Sequence, residues 1–288
     1  MRVGVRAWRA RSRGAQGGPP AVAPLASPVP AISTGDGWSC NICSSPSDVP
    51  LAEVSREVSS CPGCGSTLRW RAVVAALSIH LFGRSLTLDA FPLSPQLKGV
   101  GMSDWEGYGD RLARRLGYTN TFLHKEPMLD ITEPAPAHLA GACDFVISSE
   151  VLEHVDPPWQ RSLEHLRQLL VPGGLLVLTV PYKLEGTTEE HFPELHEYKV
   201  VELGSRRVLL NRTRAGVLQA YDDLVFHDAA GSTLEMRLFA IGDLLAALEA
   251  AGFSARVWDE PTPQHGIVWN EPWSIPIVAR RSAAWSEP

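Results

Sequence analysis

The segment from Cys143 to Pro181, CDFVISSEVLEHVDPPWQRSLEHLRQLLVPGGLLVLTVP, constrains the fold most, because it reads as one unit: strand, acidic loop, helix, glycine turn, strand. Phe145 to Ile147 is a short apolar run that ends in Ser148 and Ser149, as a strand emptying into a crevice does. Pro157 and Pro158 suit the opening of a helix whose Leu163, Leu166, Leu169 and Leu170 fall on one face. Pro172, Gly173 and Gly174 then stop it. Leu175 to Val180 is apolar without alternation, which fits a strand covered on both faces. The fold class is therefore α/β, and this segment is the parallel-sheet half of such a fold.

Four of the five cysteines form Cys40-Asn-Ile-Cys43 and Cys61-Pro-Gly-Cys64, with 17 residues between the pairs. That spacing is the one at which two Cys-x-x-Cys turns place four sulfurs on a tetrahedral Zn²⁺ ion. A closed four-thiolate site leaves no position for a substrate, so the expected metal is structural. Disulfides are the alternative, but the sequence holds no apolar signal core that would point to an oxidising compartment. Cys143 reads as a small buried apolar residue. After the second pair, Ser66 or Thr67 caps a helix through Phe82 that carries Arg69 and Arg71. These arginines suit a carboxylate or phosphate, or equally an exposed pair at a junction.

The order Glu150-Val-Leu-Glu153-His154, a helix carrying Arg167, and Pro-Gly-Gly before an apolar strand resembles class I S-adenosylmethionine-dependent methyltransferases, closely over this segment and more loosely from 84 to 281. The resemblance implies a doubly wound, seven-stranded, mostly parallel Rossmann-like sheet, S-adenosylmethionine as cofactor, and in-line methyl transfer to a small-molecule or sugar-containing acceptor. A cysteine ribbon, an Arg-x-Arg helix and this domain together resemble a group of bacterial methyltransferases linked to surface sugars or glycosylated metabolites. In the family a glycine-rich loop follows the first strand. Here the corresponding segment, Leu86 to Pro95, carries Asp89 and no glycine, and is read as a proline-containing variant. Gly99 to Asp104 is then the second strand, and Asp104 is the acid that accepts from the ribose hydroxyls, or caps the helix after it. Asp130 matches the acid near the adenine. Ser149 and Glu150 match the crevice mouth near the methionine part, with His154 either functional or packed.

Composition sets the remaining bounds. A chain of 288 residues can bury a sizeable core, and its net charge of -6 argues against a general nucleic-acid or membrane-surface binder. No apolar run approaches the roughly 20 residues that span a bilayer, and a cytoplasmic location is expected. Residues 1–33, with Arg2, Arg6, Arg9, Arg11 and Arg13, no acid and many prolines, read as a disordered tail, with an organellar transit peptide the lesser reading. The expected organisation is this tail, a zinc ribbon over 34–67, a connecting helix over 68–83, and the methyltransferase domain over 84–288.

An insertion over about 182–238 is too long for an ordinary loop and lies where the family builds its acceptor pocket. It contains His191, Glu194, His196, a hairpin around Gly204-Ser205, and then Asp222, Asp223, His227 and Asp228. His191 and His196 are the expected general bases, since imidazole titrates near neutrality, although a surface loop accounts for them as well. A second metal on His191, Glu194, His196 and Asp residues is the lesser reading, since their spacing matches no named metal motif. Trp269 and Trp273 suit stacking on a sugar or planar ring, or a place in the core. Two rivals stay open: an RNA methyltransferase that uses the ribbon on RNA, and a non-catalytic binding protein on the same fold. Glu53, Glu57 and Asp48 offset Arg56, Arg69 and Arg71, which weakens the first. Oligomeric state is not legible.

Overall fold

In the computed structural model, residues 37–227 and 233–282 are described; the tail over 1–33 and Asp228 lie outside them. The central sheet has six strands: β1 (Ser94–Met102), β2 (Leu116–Thr121), β3 (Cys143–Ser149), β4 (Leu170–Thr179), β5 (Phe253–Val257) and β6 (Ile277–Arg281), in the order β5-β6-β4-β3-β1-β2. Strands β2, β1, β3 and β4 are parallel, while β6 inserts antiparallel between β4 and β5. Six strands, rather than the expected seven, form this sheet among the described residues. Between β2 and β3 the chain makes only an isolated bridge, Phe122 to Met128, and a run of turns.

The unalternating apolar runs follow from double cover. Phe145, Ile147, Leu175 and Val177 pack with α1 (Leu68–Phe82), α2 (Glu106–Ala113) and the ribbon on one face. Val146, Leu176 and Leu178 pack on the other with α3 (Gln160–Leu169) and α4 (Ile241–Ala250). Successive strand residues point to opposite faces, so a strand buried on both needs apolar residues at every position.

Helix α1 is buried along most of its length. Thr67 caps it, accepting from the Trp70 amide at 3.5 Å, and Gly83 closes it at φ 72°. Ribbon residues Trp38, Cys40, Ile42, Val54 and Cys61 share its apolar cluster. Arg71 is fully buried, donates to Ser66, Ser60 and the Gly266 carbonyl, and lies 4.3 Å from the Trp38 ring centre. It is thus a packing residue and not an anion anchor.

The first strand differs from expectation. Leu88–Ala90 is a single 3₁₀ turn, and the strand that opens the doubly wound unit is β1, which starts just beyond it at Ser94. The glycines at 99 and 101 therefore belong to the first strand, not the second. Asp104 follows that strand, and β2 ends in Asn120 and Thr121 with no acid.

The insertion builds a small antiparallel sheet from Glu197–Leu203, Arg206–Arg212 and Leu218–Tyr221, with the first two joined at Gly204. Its own apolar cluster contains Phe192, Leu209, Leu234 and Met236.

Candidate active site

The chain leaves β1 through α2 to β2 on one side and returns to β3 on the other. The carboxyl ends of β1 and β3 therefore flank a topological switch point, where open α/β sheets form a crevice. The residue after each strand is a non-glycine in the left-handed region: Ser103 at φ 55° and Glu150 at φ 57°. Such backbone costs of the order of 1 kcal/mol or more and persists where the surroundings hold it. Here the Ser103 amide donates to the Thr121 carbonyl at 2.7 Å and the Glu150 amide to the Thr179 carbonyl at 2.9 Å.

One wall of the crevice comes from the ribbon. Arg56 donates through both terminal nitrogens to the two carboxylate oxygens of Glu150, at 2.9 and 2.5 Å. Arg69 holds Glu57 with Nε and Nη2 and donates from Nη1 to Ser149 Oγ at 2.7 Å. Thr179 adds a donor to Glu150 at 2.9 Å. Burial works to raise the Glu150 carboxyl, but the Arg56 guanidinium, helped by Arg69 and Thr179, outweighs it and holds the pKa below the usual range. Trp70 and Trp105 stack beside this wall at 4.1 Å and 13°.

Asp104 is locked from both sides. Its amide donates to Asn120 Oδ1 at 2.9 Å, its carbonyl accepts from Asn120 Nδ2 at 2.8 Å, and Tyr118 Oη donates to its Oδ2 at 2.5 Å. The residue is 5% exposed, and Oδ1 has no partner. Burial lifts the carboxyl to about 7, with the hydroxyls of Tyr108 and Tyr118 and the charge of Arg69 pulling the other way. Asp104 does not cap α2, whose N-terminal residue, Trp105, makes no side-chain cap.

The opposite wall holds the turn after Glu150 and the far end of the insertion. His154 Nδ1 sits 2.9 Å from the Leu234 carbonyl, and its ring meets that of His227 edge-on at 5.2 Å. Glu235 lies 2.8 Å from His227 Nε2 and 3.3 Å from His191 Nε2. Burial lowers the His154 imidazole, and burial beside the Glu150 charge raises the Glu153 carboxyl well above its ordinary value.

These walls enclose a cavity of about 1230 Å³. Of the residues expected from sequence, Asp104, Ser149, Glu150 and His154 line it, and His191 stands behind Glu235. Asp89 is exposed on the 3₁₀ turn and pairs with Arg111 at 3.5 Å, away from the crevice. Asp130 accepts from the amide and hydroxyl of Thr132, the local turn that Asp favours, and does not line the cavity. His196 is exposed at the start of the small sheet, and Glu194 binds Gln219, so the grouping of His191, Glu194 and His196 does not form. Trp273 lines the cavity under Arg56, whereas Trp269 packs against Trp258. Arg56, Trp70, Trp105 and Glu235 escaped sequence reading; an arginine beside an acid between two cysteine pairs was the one available signal.

Cys40, Cys43, Cys61 and Cys64 are free thiols with sulfurs within 4.8 Å of one another. Cys40 and Cys64 are 3.8 Å apart, and Cys43 and Cys61 are 3.5 Å apart. Four bonds of about 2.3 Å to a tetrahedral ion give sulfur separations near 3.8 Å, so the quartet fits zinc without rearrangement. Cys143 is buried alone at the start of β3.

A family model described as a methyltransferase domain matches residues 95–256. No curated protein matches the sequence. Among solved structures, the chain is similar to an S-adenosylmethionine-dependent methyltransferase from Mesorhizobium loti, with 18% identity over 76% of this chain and 100% of that one at a TM-score of 0.42. It is also similar to the Burkholderia thailandensis 1,6-didemethyltoxoflavin-N1-methyltransferase, with 16% identity over 74% of this chain and 78% of that one at 0.41. A third is an amino pentose methyltransferase from Micromonospora echinaspora, with 13% identity over 76% and 93% at 0.40. No helix among the described residues is long and apolar enough to cross a membrane.

Proposed function

The chain belongs to the methyltransferase-domain family, and on that premise we propose that it transfers a methyl group from S-adenosylmethionine to a small-molecule or sugar-containing acceptor inside the switch-point cavity. The observation that carries this reading is Asp104 among the residues lining the cavity at the end of the first strand: its backbone is held by Asn120, its Oδ2 accepts from Tyr118, and its Oδ1 has no partner. We assign a ribose hydroxyl as the donor to the unpartnered Oδ1. The cavity, at about 1230 Å³, exceeds the roughly 300–1,000 Å³ typical of a single-ligand pocket, which supports two reactants held together.

Bound S-adenosylmethionine supplies an electrophilic sulfonium methyl. The chain's own contribution is chiefly positional, and aligning two bound reactants can account for about 7–11 kcal/mol of a barrier. Asp104 is assigned to the ribose, and the stacked Trp70 and Trp105 offer an apolar flank. Glu150, neutralised by Arg56, presents a polar but charge-balanced mouth. Glu235, backed by His191 and His227, is the group we assign to receive the acceptor's proton.

The four cysteines hold structural Zn²⁺ in this reading, and the ribbon serves as a wall of the crevice. The engagement of Arg56, Arg69 and Arg71 within the protein supports a small acceptor over RNA, because none of the three is left to meet a phosphate backbone. Calorimetry of the zinc-loaded protein with S-adenosylmethionine tests the proposal: binding near one per chain is expected, and no binding by the folded protein would refute it.

A further inference from the structure

We propose that Glu153, His154 and His227 form a binding site for a divalent transition-metal ion, separate from the cysteine quartet and open to the acceptor side of the cavity. Their ligand atoms lie within 4.8 Å of one another, little more than the span of two metal–ligand bonds of about 2.1 Å.

Glu153 carries the argument. Its side chain is 1% exposed, yet neither carboxylate oxygen has a hydrogen-bond partner. His154 Nε2 stands 3.8 Å from its Oε1, beyond hydrogen-bonding range. Buried carboxyl groups are nearly always satisfied, and one left bare on both oxygens beside two imidazoles lacks a cation rather than a donor.

The two rings are held as ligating rings are held. The Leu234 carbonyl accepts from His154 Nδ1 at 2.9 Å, which leaves Nε2 as the lone-pair nitrogen on the side of Glu153. Glu235 holds His227 through Nε2 at 2.8 Å, and its other oxygen reaches toward His191. Carboxylate and carbonyl partners of this kind orient metal-bound histidines and fix their tautomers.

Two imidazoles and one carboxylate suit Mn²⁺, Fe²⁺ or Zn²⁺, whereas Ca²⁺ and Mg²⁺ take shells of oxygen. Three protein ligands leave coordination positions free, and His154 and His227 both line the cavity, so those positions face the space assigned to the acceptor. Resting on the methyl-transfer reading, the group they take is a hydroxyl or carboxylate oxygen of the acceptor.

The test is a titration of Mn²⁺ into full-length protein carrying one zinc per chain after dialysis against EDTA, followed by loss of the free-ion paramagnetic resonance signal. Thiolates favour zinc over manganese, so the ribbon does not compete. One Mn²⁺ per chain is expected, lost in Glu153→Gln and in His227→Ala and kept in His138→Ala, an exposed loop position. Should circular dichroism show Glu153→Gln unfolded, the partly exposed His227→Ala decides alone. No manganese bound by the wild-type chain, or undiminished binding in His227→Ala, overturns the site. Calorimetry with S-adenosylmethionine on the same samples is independent: manganese binding without cofactor binding upholds the site and overturns only its acceptor role.

Discussion

Arg56 of the ribbon and Glu150 at the end of β3, 94 positions apart, form a two-pronged ion pair at the mouth of the crevice. The Arg56 side chain is 3% exposed and that of Glu150 18%. Removing one partner from such a pair typically costs about 3–5 kcal/mol, because the other charge stays buried and unpaired. Arg56→Met should therefore lower stability by at least about 2 kcal/mol, with Glu150→Gln restoring part of it in the double variant. Denaturant melts of the four proteins in the cycle would show this, and strict additivity would mean that the pair is not coupled.

The same relationship links the metal to the crevice. Arg56 and Glu57 lie between the cysteine pairs, and Arg69 follows the second, so loss of zinc frees three residues of the crevice wall. Cys43→Ser, Cys61→Ser or chelation should reduce S-adenosylmethionine affinity by more than about tenfold, even where the Cys143–Pro181 unit remains folded. Zinc analysis alongside calorimetry checks this. Unaltered affinity in a zinc-free, folded sample would confine the metal to the ribbon.

How legible this was depends on the kind of signal. The strand–helix–strand unit was readable because both its strands are buried on two faces, so every position is apolar, and the cysteine spacing was readable because coordination is local. Strand β1 is read from sequence as the second strand, with Leu86 to Pro95 taken as the end and loop of the first, because its first half, Ser94 to Lys98, is largely exposed and its second half is interrupted by Gly99 and Gly101. The glycines lower the apolar signal for a packing reason: a Cβ on Gly99 would lie 2.2 Å from the Phe145 ring. Arg56 and Glu235 owe their places to partners distant in sequence, and no periodicity encodes such pairs.

The Asp104 carboxyl gives a pH signature. Its pKa of about 7 in the folded protein lies above the unfolded value near 3.9, so the folded state holds a proton that the unfolded state gives up between about pH 4 and 7. The protonated carboxyl's stability is therefore fully present below about pH 4 and is lost as pH rises through 7, to a total of up to roughly 4 kcal/mol. Asp104→Asn should raise the melting temperature of the ligand-free protein at pH 8 and change it little at pH 4. It should also weaken cofactor binding, because only the carboxylate accepts from two hydroxyls. A variant that melts with the same pH dependence as the wild type would exclude Asp104 as the titrating group.

Gly101 tests whether the Asp104 geometry matters for binding, without touching its chemistry. A Cβ at this position would lie 1.9 Å from Asp104 Oδ2 and 2.2 Å from Tyr118 Oη, so alanine must push apart the two groups that share the 2.5 Å hydrogen bond. At Gly109, one turn into α2, the added carbon would meet nothing closer than 3.6 Å, and alanine also favours the helix. Gly101→Ala is therefore expected to weaken S-adenosylmethionine binding by about tenfold or more, near 1.4 kcal/mol, while Gly109→Ala binds as the wild type does. The comparison is internal, since both changes add one methyl group to the same strand–helix unit. Equal affinities for the two variants, measured by calorimetry at pH 8 where Asp104 is ionised, would remove the ribose assignment and leave its free oxygen without an explanation.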